Sequence, residues 1–191
     1  MTRSPRPFTP QSEALFDELL VMIAQAGDAR AFERLHRRWY KRLGRAALRY
    51  AGSPEAARAL SQDCWLAIWK GIGGLRDPKR FRAYAFGVLH RRGADYVRGA
   101  IKTRAHSGWV EETQTLAEAP RQDERSELNR AFSALPPDQR LAAHLHFVEG
   151  LTLSEIAEAQ SIPTGTAKSR LFHARRKLKA ALSDPSEGEP T

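Results

Sequence analysis

Apolar residues recur at intervals of three and four through most of the chain, and no segment alternates apolar with polar residues as a half-buried strand would. The fold class expected is therefore all-α. Leu15, Phe16, Leu19, Leu20 and Ile23 form a first short face that stops at Gly27. Asp28 is placed to cap a second helix whose inward stripe is Phe32, Leu35, His36, Trp39, Leu43 and Ala47. Ser53 followed by Pro54 is an N-cap with proline in the first turn, where its missing N–H costs nothing. The next stripe, Ala57, Leu60, Cys64, Trp65, Ile68, Trp69 and Ile72, is the most regular and ends at Gly73-Gly74. Asp77-Pro78 then opens a fourth helix with Phe81, Tyr84, Ala85, Val88 and Leu89 inward.

The spacing lapses over residues 101–126, where Gly, Thr, Gln, Glu and Pro dominate. Such a composition predicts a flexible linker. Its one aromatic residue, Trp109, is expected to dock on a partner or a neighbouring domain. Beyond it, Leu128, Ala131, Phe132 and Leu135 make a short helix ended by Pro136-Pro137, and Leu141, Leu145 and Val148 a second, closed by Gly150. Thr152-Leu-Ser-Glu155 has the form of a capping box. After Gln160-Ser-Ile-Pro163, Thr164 is expected to cap a last helix with Leu171, Ala174, Leu178 and Leu182 inward. The expected division is an N-terminal extension with a short helix (1–27), a helical domain (28–100), the linker (101–126), a smaller helical domain (127–183) and a disordered tail (184–191).

Charge adds a function class to this outline. The chain carries 31 Lys and Arg against 22 Asp and Glu, a balance that favours a polyanionic partner. Residues 28–100 hold 17 of those cations and 6 of the acids, so the excess sits mainly on the first domain. The last helix carries Lys168, Arg170, Arg175, Arg176, Lys177 and Lys179 with no acid among them. No run is long and apolar enough to insert in a membrane, and the N-terminus lacks the apolar stretch of a signal peptide. A single cysteine, Cys64, allows no disulfide within the chain and no multi-cysteine zinc site. His144 and His146, two apart on a helix, do not share a face. Neither a phosphate-cradling glycine loop nor a nucleophile elbow is present. The expectation is a cytoplasmic protein that is not an enzyme and needs no cofactor or metal.

The last basic run lies on the second helix of a helix-turn-helix. In that unit a short capped helix braces a second one that enters the major groove. Small Ala157 permits close approach of the pair. Thr164 and Thr166 stand at the positive helix N-terminus, where a phosphate binds. Lys168, Ser169, Phe172 and His173 are placed for base edges, and Arg175 and Arg176, with Lys177, for backbone phosphates.

These residues carry a resemblance. Leu135-Pro-Pro-Asp-Gln-Arg140, Phe147-Val-Glu-Gly-Leu-Thr152, Glu155-Ile-Ala157 and Ile162-Pro-Thr-Gly-Thr-Ala-Lys-Ser-Arg-Leu171 resemble region four of the sigma factors, most closely in the extracytoplasmic-function group. Gln62-Asp-Cys-Trp-Leu66 with Trp69 is similar to the helix by which region two grips RNA polymerase. Phe81-Arg-Ala-Tyr84 through Asp95-Tyr-Val-Arg98 is similar to the helix facing the promoter's minus-ten element.

The resemblance implies a factor that binds core RNA polymerase and directs promoter-specific initiation. Region four would read duplex minus-thirty-five DNA through Thr164, Thr166, Lys168, Ser169, Arg170, Phe172, His173, Arg175 and Arg176. Region two would melt and capture the minus-ten element with Arg76, Lys79, Arg80, Phe81, Tyr84, Arg91, Arg92 and Arg98, a flipped base being held by residues 71–80. Phe81 and Tyr84 are read either as stacking platforms or as core. Gln62, Asp63, Leu66 and Trp69 would meet the polymerase, although helical spacing also reads Trp65 and Trp69 as core. An anti-sigma factor or other regulator is a further implied partner. The sequence departs from the family's usual pattern at Arg58, Ala59, Tyr84, Ala85, Arg91 and His173. The alternatives are a stand-alone helix-turn-helix regulator, against which the polymerase-like helix argues, and an adaptor that does not bind DNA.

Overall fold

The computed structural model describes residues 10–51, 53–107 and 123–183, and every regular element among them is helical. The order is α1 (Pro10–Gln25), α2 (Ala29–Ala47), α3 (Pro54–Gly71), two 3-10 turns (Ile72–Gly74 and Pro78–Arg80), α4 (Phe81–Ser107), α5 (Asp123–Ser133), α6 (Pro137–Ala143), a π-helical turn (His144–Val148), α7 (Leu153–Gln160) and α8 (Thr164–Ser183). The all-α expectation holds, with α1–α4 as one module and α5–α8 as the other.

Side-chain caps set three of the predicted helix starts, whereas Thr164, expected as a cap, is itself the first residue of α8. The Asp28 carboxylate accepts from the N–H groups of Arg30 and Ala31 at 2.7 and 3.0 Å, and Ser53 Oγ from that of Ala56 at 3.2 Å. The capping box closes both ways: Thr152 N–H donates to Glu155 Oε2 at 2.8 Å, and Glu155 N–H to Thr152 Oγ1 at 3.3 Å. Each satisfies donors that a helix leaves free at its first turn.

The first module closes on an aromatic core. Trp39, Phe81, Phe86, Leu35, Leu43, Ile68 and Leu89 are fully buried, with Phe81 edge-on to Trp39 at 5.1 Å between ring centres. Helix α1 lies on this core with a face that coincides only in part with the expected one, Phe16 packing against the core as predicted. Leu20 is buried as predicted, but its companions are Asp17, Val21 and Ala24, whereas Leu15, Leu19 and Ile23 are exposed. Asp17 turns the helix. Its carboxylate accepts from Trp39 Nε1 at 2.9 Å and Arg38 Nε at 2.5 Å, fixing that side inward.

A register change in the second module corrects another expectation. The π-helical turn inserts an extra residue after α6, shown by the Glu149 N–H to His144 carbonyl bond at 3.1 Å. Val148, expected inward, is therefore exposed, and Glu149 takes the buried place. Leu128, midway along α5, and Leu182, near the end of α8, are exposed as well.

The two modules are not merely tethered. Leu141, Leu145, Leu151, Ile156, Ala159 and Ala167 of the second join the core of the first, while Ala131, Phe132, Leu135, Ala143, Ala174 and Leu178 form a small separate cluster. Gly87 of α4 brings α7 close: a Cβ there would lie 3.5 Å from the Ala159 carbonyl oxygen, an ordinary van der Waals contact. Helix α4 continues to Ser107 and α5 begins at Asp123, so both ends of the expected linker are helical. Trp109 and the tail at 184–191 lie outside the described residues.

Candidate nucleic-acid and polymerase interfaces

Helix α8 has two unlike sides. Ala167, Ala174 and Leu178 are buried, while Lys168, Ser169, Phe172, Arg175 and Arg176 are exposed at positions that recur every three or four residues, with Lys177 and Lys179 beside them. Thr164 and Thr166 are exposed at its N-terminus, and His173 is half-buried, edge-on to Phe172 at 5.5 Å. A sharp turn sets the angle between α7 and α8. Ser161 adopts a left-handed conformation (φ 53°) and Ile162 N–H returns to the Ala157 carbonyl at 2.9 Å. Ala157 is buried where the helices meet.

Arg170 does not join the exposed set. Its guanidinium is held inside the module by Asp138 Oδ2 at 2.7 Å and Gln160 Oε1 at 2.8 Å. These contacts brace α8 against α6 and α7.

Helix α3 divides in the same way. Cys64, Trp65 and Ile68 face inward, and Gln62, Asp63, Leu66 and Trp69 face out. The two tryptophans thus separate: Trp65 is core, whereas Trp69 is 44% exposed and held edge-on by Phe32 at 4.6 Å. The Cys64 thiol is pushed up to about 12 by burial, which makes it a packing group.

The expected minus-ten set is split. Arg76, Lys79, Arg80, Arg91, Arg92 and Arg98 are exposed on the 3-10 turn and along α4, Arg98 in an ion pair with Asp95. Phe81 is withdrawn into the core against Trp39, so it offers no stacking surface. Tyr84 is half-buried, and its hydroxyl lies where a side chain on Gly71 would have to be. The glycine opens the base of the 71–80 segment to that ring.

The sequence did not point to a cluster where the modules meet. Glu149 and His144 are buried there beside Arg42, Arg45 and Arg49. Glu149 accepts from Arg42 Nε at 2.7 Å across 107 residues of chain. Burial first, and then the Arg49 and Arg45 charges, push the His144 pKa down to about 3. Glu149 lies 3.7 Å from His144 Nε2 but is already engaged by Arg42, and does not reverse that effect. No local motif foretells this cluster, because its partners are remote in sequence and the π-helical turn sets its register.

Among the described residues no three His, Cys, Asp or Glu gather as a metal site, and no helix is long and apolar enough to cross a membrane. What the surface offers is two cationic faces and one mixed apolar-acidic helix face.

Comparison with known proteins agrees with that surface. Residues 35–103 match the family model described as sigma-70 region 2, and residues 125–178 that described as sigma-70, region 4. The chain is 25% identical to the RNA polymerase sigma-H factor of Pseudomonas aeruginosa over 180 residues, covering 87% of this chain and 93% of the relative. It is likewise 25% identical to the ECF RNA polymerase sigma-E factor of Escherichia coli over 189 residues, covering 87% and 94%. Among solved structures, CnrH in complex with the cytosolic domain of CnrY superposes with a TM-score of 0.65 at 25% identity, covering 88% of this chain and 97% of that one. The sigma factor RpoE of Bartonella quintana shares the fold, with a TM-score of 0.71 at 23% identity over 80% of this chain and 96% of that one. With both regions matched in order across more than half its length, the chain belongs to the extracytoplasmic-function group of the sigma-70 family and is a DNA-binding factor for promoter-directed transcription initiation.

Proposed function

We propose that this chain joins core RNA polymerase through the outer face of α3 and reads a promoter with α8 and α4. The observation that carries the reading is the two-sidedness of α8. An apolar side is buried in its module, and the opposite side presents Lys168, Ser169, Phe172, Arg175 and Arg176 behind a capped brace helix. A helix so mounted fits the major groove of a duplex minus-thirty-five element, with Thr164 and Thr166 at its N-terminal phosphate. Lys168, Ser169, Phe172 and His173 meet base edges. Arg175 and Arg176 meet phosphates, which position the helix without reading sequence. On the first module, Arg76, Lys79, Arg80, Arg91, Arg92 and Arg98 hold the minus-ten strand, with Tyr84 the stacking ring. Gln62, Asp63, Leu66 and Trp69 form the polymerase contact: an apolar pair flanked by polar groups suits the desolvated centre of an interface.

In this reading the protein acts in the cytoplasm, the chemistry of RNA synthesis belongs entirely to the polymerase, and this chain is a specificity subunit. CnrH is seen with the cytosolic domain of CnrY. By that likeness a regulatory protein of the anti-sigma kind is proposed as a further partner here.

Run-off transcription with purified core enzyme on a genomic promoter library tests the reading. Specific transcripts that appear only with the added chain are expected, and their absence together with failure to bind core enzyme overturns it. Charge reversal at Arg175 and Arg176 should weaken all promoters alike, whereas Ser169→Ala and Phe172→Ala should change which promoters are used.

A further inference from the structure

Tyr40, Lys41, Gly44, Arg45 and Leu48 recur along one side of α2 at helical spacing, and Pro54, Ala57, Arg58 and Ser61 along one side of α3. The two stripes line a groove of about 370 Å³. Small residues in the middle of both stripes keep this space open. A Cβ on Gly44 would meet no atom within 4 Å, and opposite it α3 contributes only the short side chains of Ala57 and Ser61 between its longer ones.

The lining has a definite chemistry. Leu48, Pro54, Ala57 and the exposed Tyr40 ring supply apolar wall. Lys41, Arg45 and Arg58 line the same groove and are exposed, and no acid lines it. Among the described residues neither Lys41 nor Arg58 is in an ion pair, and Arg45 approaches Glu149 only at 3.7 Å. Ser61 is 2% exposed, and its hydroxyl has no hydrogen-bond partner among the described residues. Such a hydroxyl is uncommon, because it has given up water without a replacement.

We propose that this groove is a binding site for a small amphiphilic anion: an apolar chain lying between α2 and α3, with one carboxylate or phosphate head held by Lys41, Arg45 and Arg58. The volume falls at the lower end of the ~300–1,000 Å³ range of small-molecule sites. A guanidinium takes either head group in charge-assisted hydrogen bonds. Ser61 stands one turn from Arg58, so an oxygen of the same head group can supply the acceptor its hydroxyl lacks. The lining contains no Asp, Glu, Asn or Gln, so the sugar hydroxyls and base edge of a nucleotide would lose water without gaining an acceptor side chain of that kind, which disfavours that class. The site is independent of the promoter-reading assignment, since Lys41, Gly44 and Arg58 belong to none of the faces given to DNA or polymerase above.

Isothermal titration calorimetry on the full chain tests the site with decanoate and with decyl phosphate, each kept below its micelle-forming concentration. Saturable binding of at least one is expected, the tighter of the two naming the head group. Decanol and decyltrimethylammonium, which share the chain but lack the anion, should bind roughly tenfold more weakly or worse. Gly44→Leu fills the groove from a position where a side chain clashes with nothing, and should lower the affinity by roughly tenfold or more. Lys41→Gln with Arg58→Gln keeps the groove and removes two charges, so affinity should drop roughly three- to tenfold and its salt dependence should flatten. Circular dichroism melts verify that both variants remain folded.

No saturable binding of either anion overturns the proposal. Binding that Gly44→Leu leaves unchanged also overturns it, because the probe then sits on another apolar surface. If neither anion binds but Gly44→Leu weakens capture of the chain by core polymerase, the groove is part of that interface and the ligand site falls.

Discussion

The two modules bury themselves by different means. The first fills its interior with Trp39, Phe81, Phe86, Trp65 and long aliphatic side chains, whereas the private cluster of the second holds three alanines with Phe132, Leu135 and Leu178. Large rings remove far more apolar surface from water than methyl groups do, so the first module carries its own stability. The second obtains much of its burial by laying Leu145, Leu151, Ile156 and Ala159 against the first. A small helical unit with a small core gains from leaning on a neighbour. The lesson is that the packing of the second module against the first and the stability of its helix-turn-helix are coupled.

The largest effect that would break this contrast is expected at Trp39. Truncation to alanine should cost about 3–5 kcal/mol, because it opens a cavity and strips Asp17 of a buried donor. Urea unfolding followed by circular dichroism measures it, and a loss below about 1 kcal/mol would show that the aromatic core is not the anchor. Next comes Arg42→Ala, which leaves the Glu149 carboxylate buried without its main counter-charge. A loss of about 3 kcal/mol is expected, with hydrogen exchange in α6 and α7 accelerated before that in α2 and α3. Uniform acceleration across both modules would contradict the asymmetry.

Within the first module, Gly93 and Gly44 sharpen the picture. A Cβ on Gly93 would lie 2.5 Å from the Tyr50 ring, whose hydroxyl is fixed on His90 Nδ1 at 2.9 Å. Gly93→Ala should therefore destabilise by about 2 kcal/mol, despite the better helix propensity of alanine.

His144 tests the interface through pH. Its ordinary value of 6.5 applies when the ring is in water, and about 3 when the modules bury it. The unfolded chain therefore binds the proton more readily, so the folded state is fully stable above about pH 6.5 and loses stability as pH falls below it. One unit lower, at about pH 5.5, the loss should be about 1.4 kcal/mol, read as a drop in melting temperature that His144→Leu flattens. An unchanged pH profile in that variant would remove His144 from the account. The smallest effect is expected at Gly44, where a Cβ meets nothing within 4 Å: Gly44→Ala should gain about 0.5–1 kcal/mol in thermal melts.

Most of the helix starts were legible because caps are local. Asp28, Ser53 and Thr152 each act within three residues of themselves. The outward faces of α3 and α8 were legible for the same reason, since the helical period places Leu66 apart from Trp65, and Phe172 apart from Ala174, before any packing is known. Residues with two plausible fates were not. Phe81 and Tyr84 read alike as ring platforms, yet only one reaches the surface, and Arg170 reads like Arg175 until Asp138 is seen beside it. On α1 the apolar stripe named only part of the buried face: Phe16 and Leu20 pack inward, but Asp17 turns in beside them while Leu15, Leu19 and Ile23 stay exposed.

Composition and period by themselves determined an all-α chain with two cationic modules, a helix-turn-helix and the family motif, since these depend on interactions a few residues long. Tertiary structure decided that the modules share a core, that Glu149 rather than Val148 points inward, and that Arg80 and Arg82 are held by glutamates more than 70 residues away. The reason is range. Caps and helical faces are written in adjacent turns, but the partner of a charged side chain is chosen by whichever surface folding brings against it.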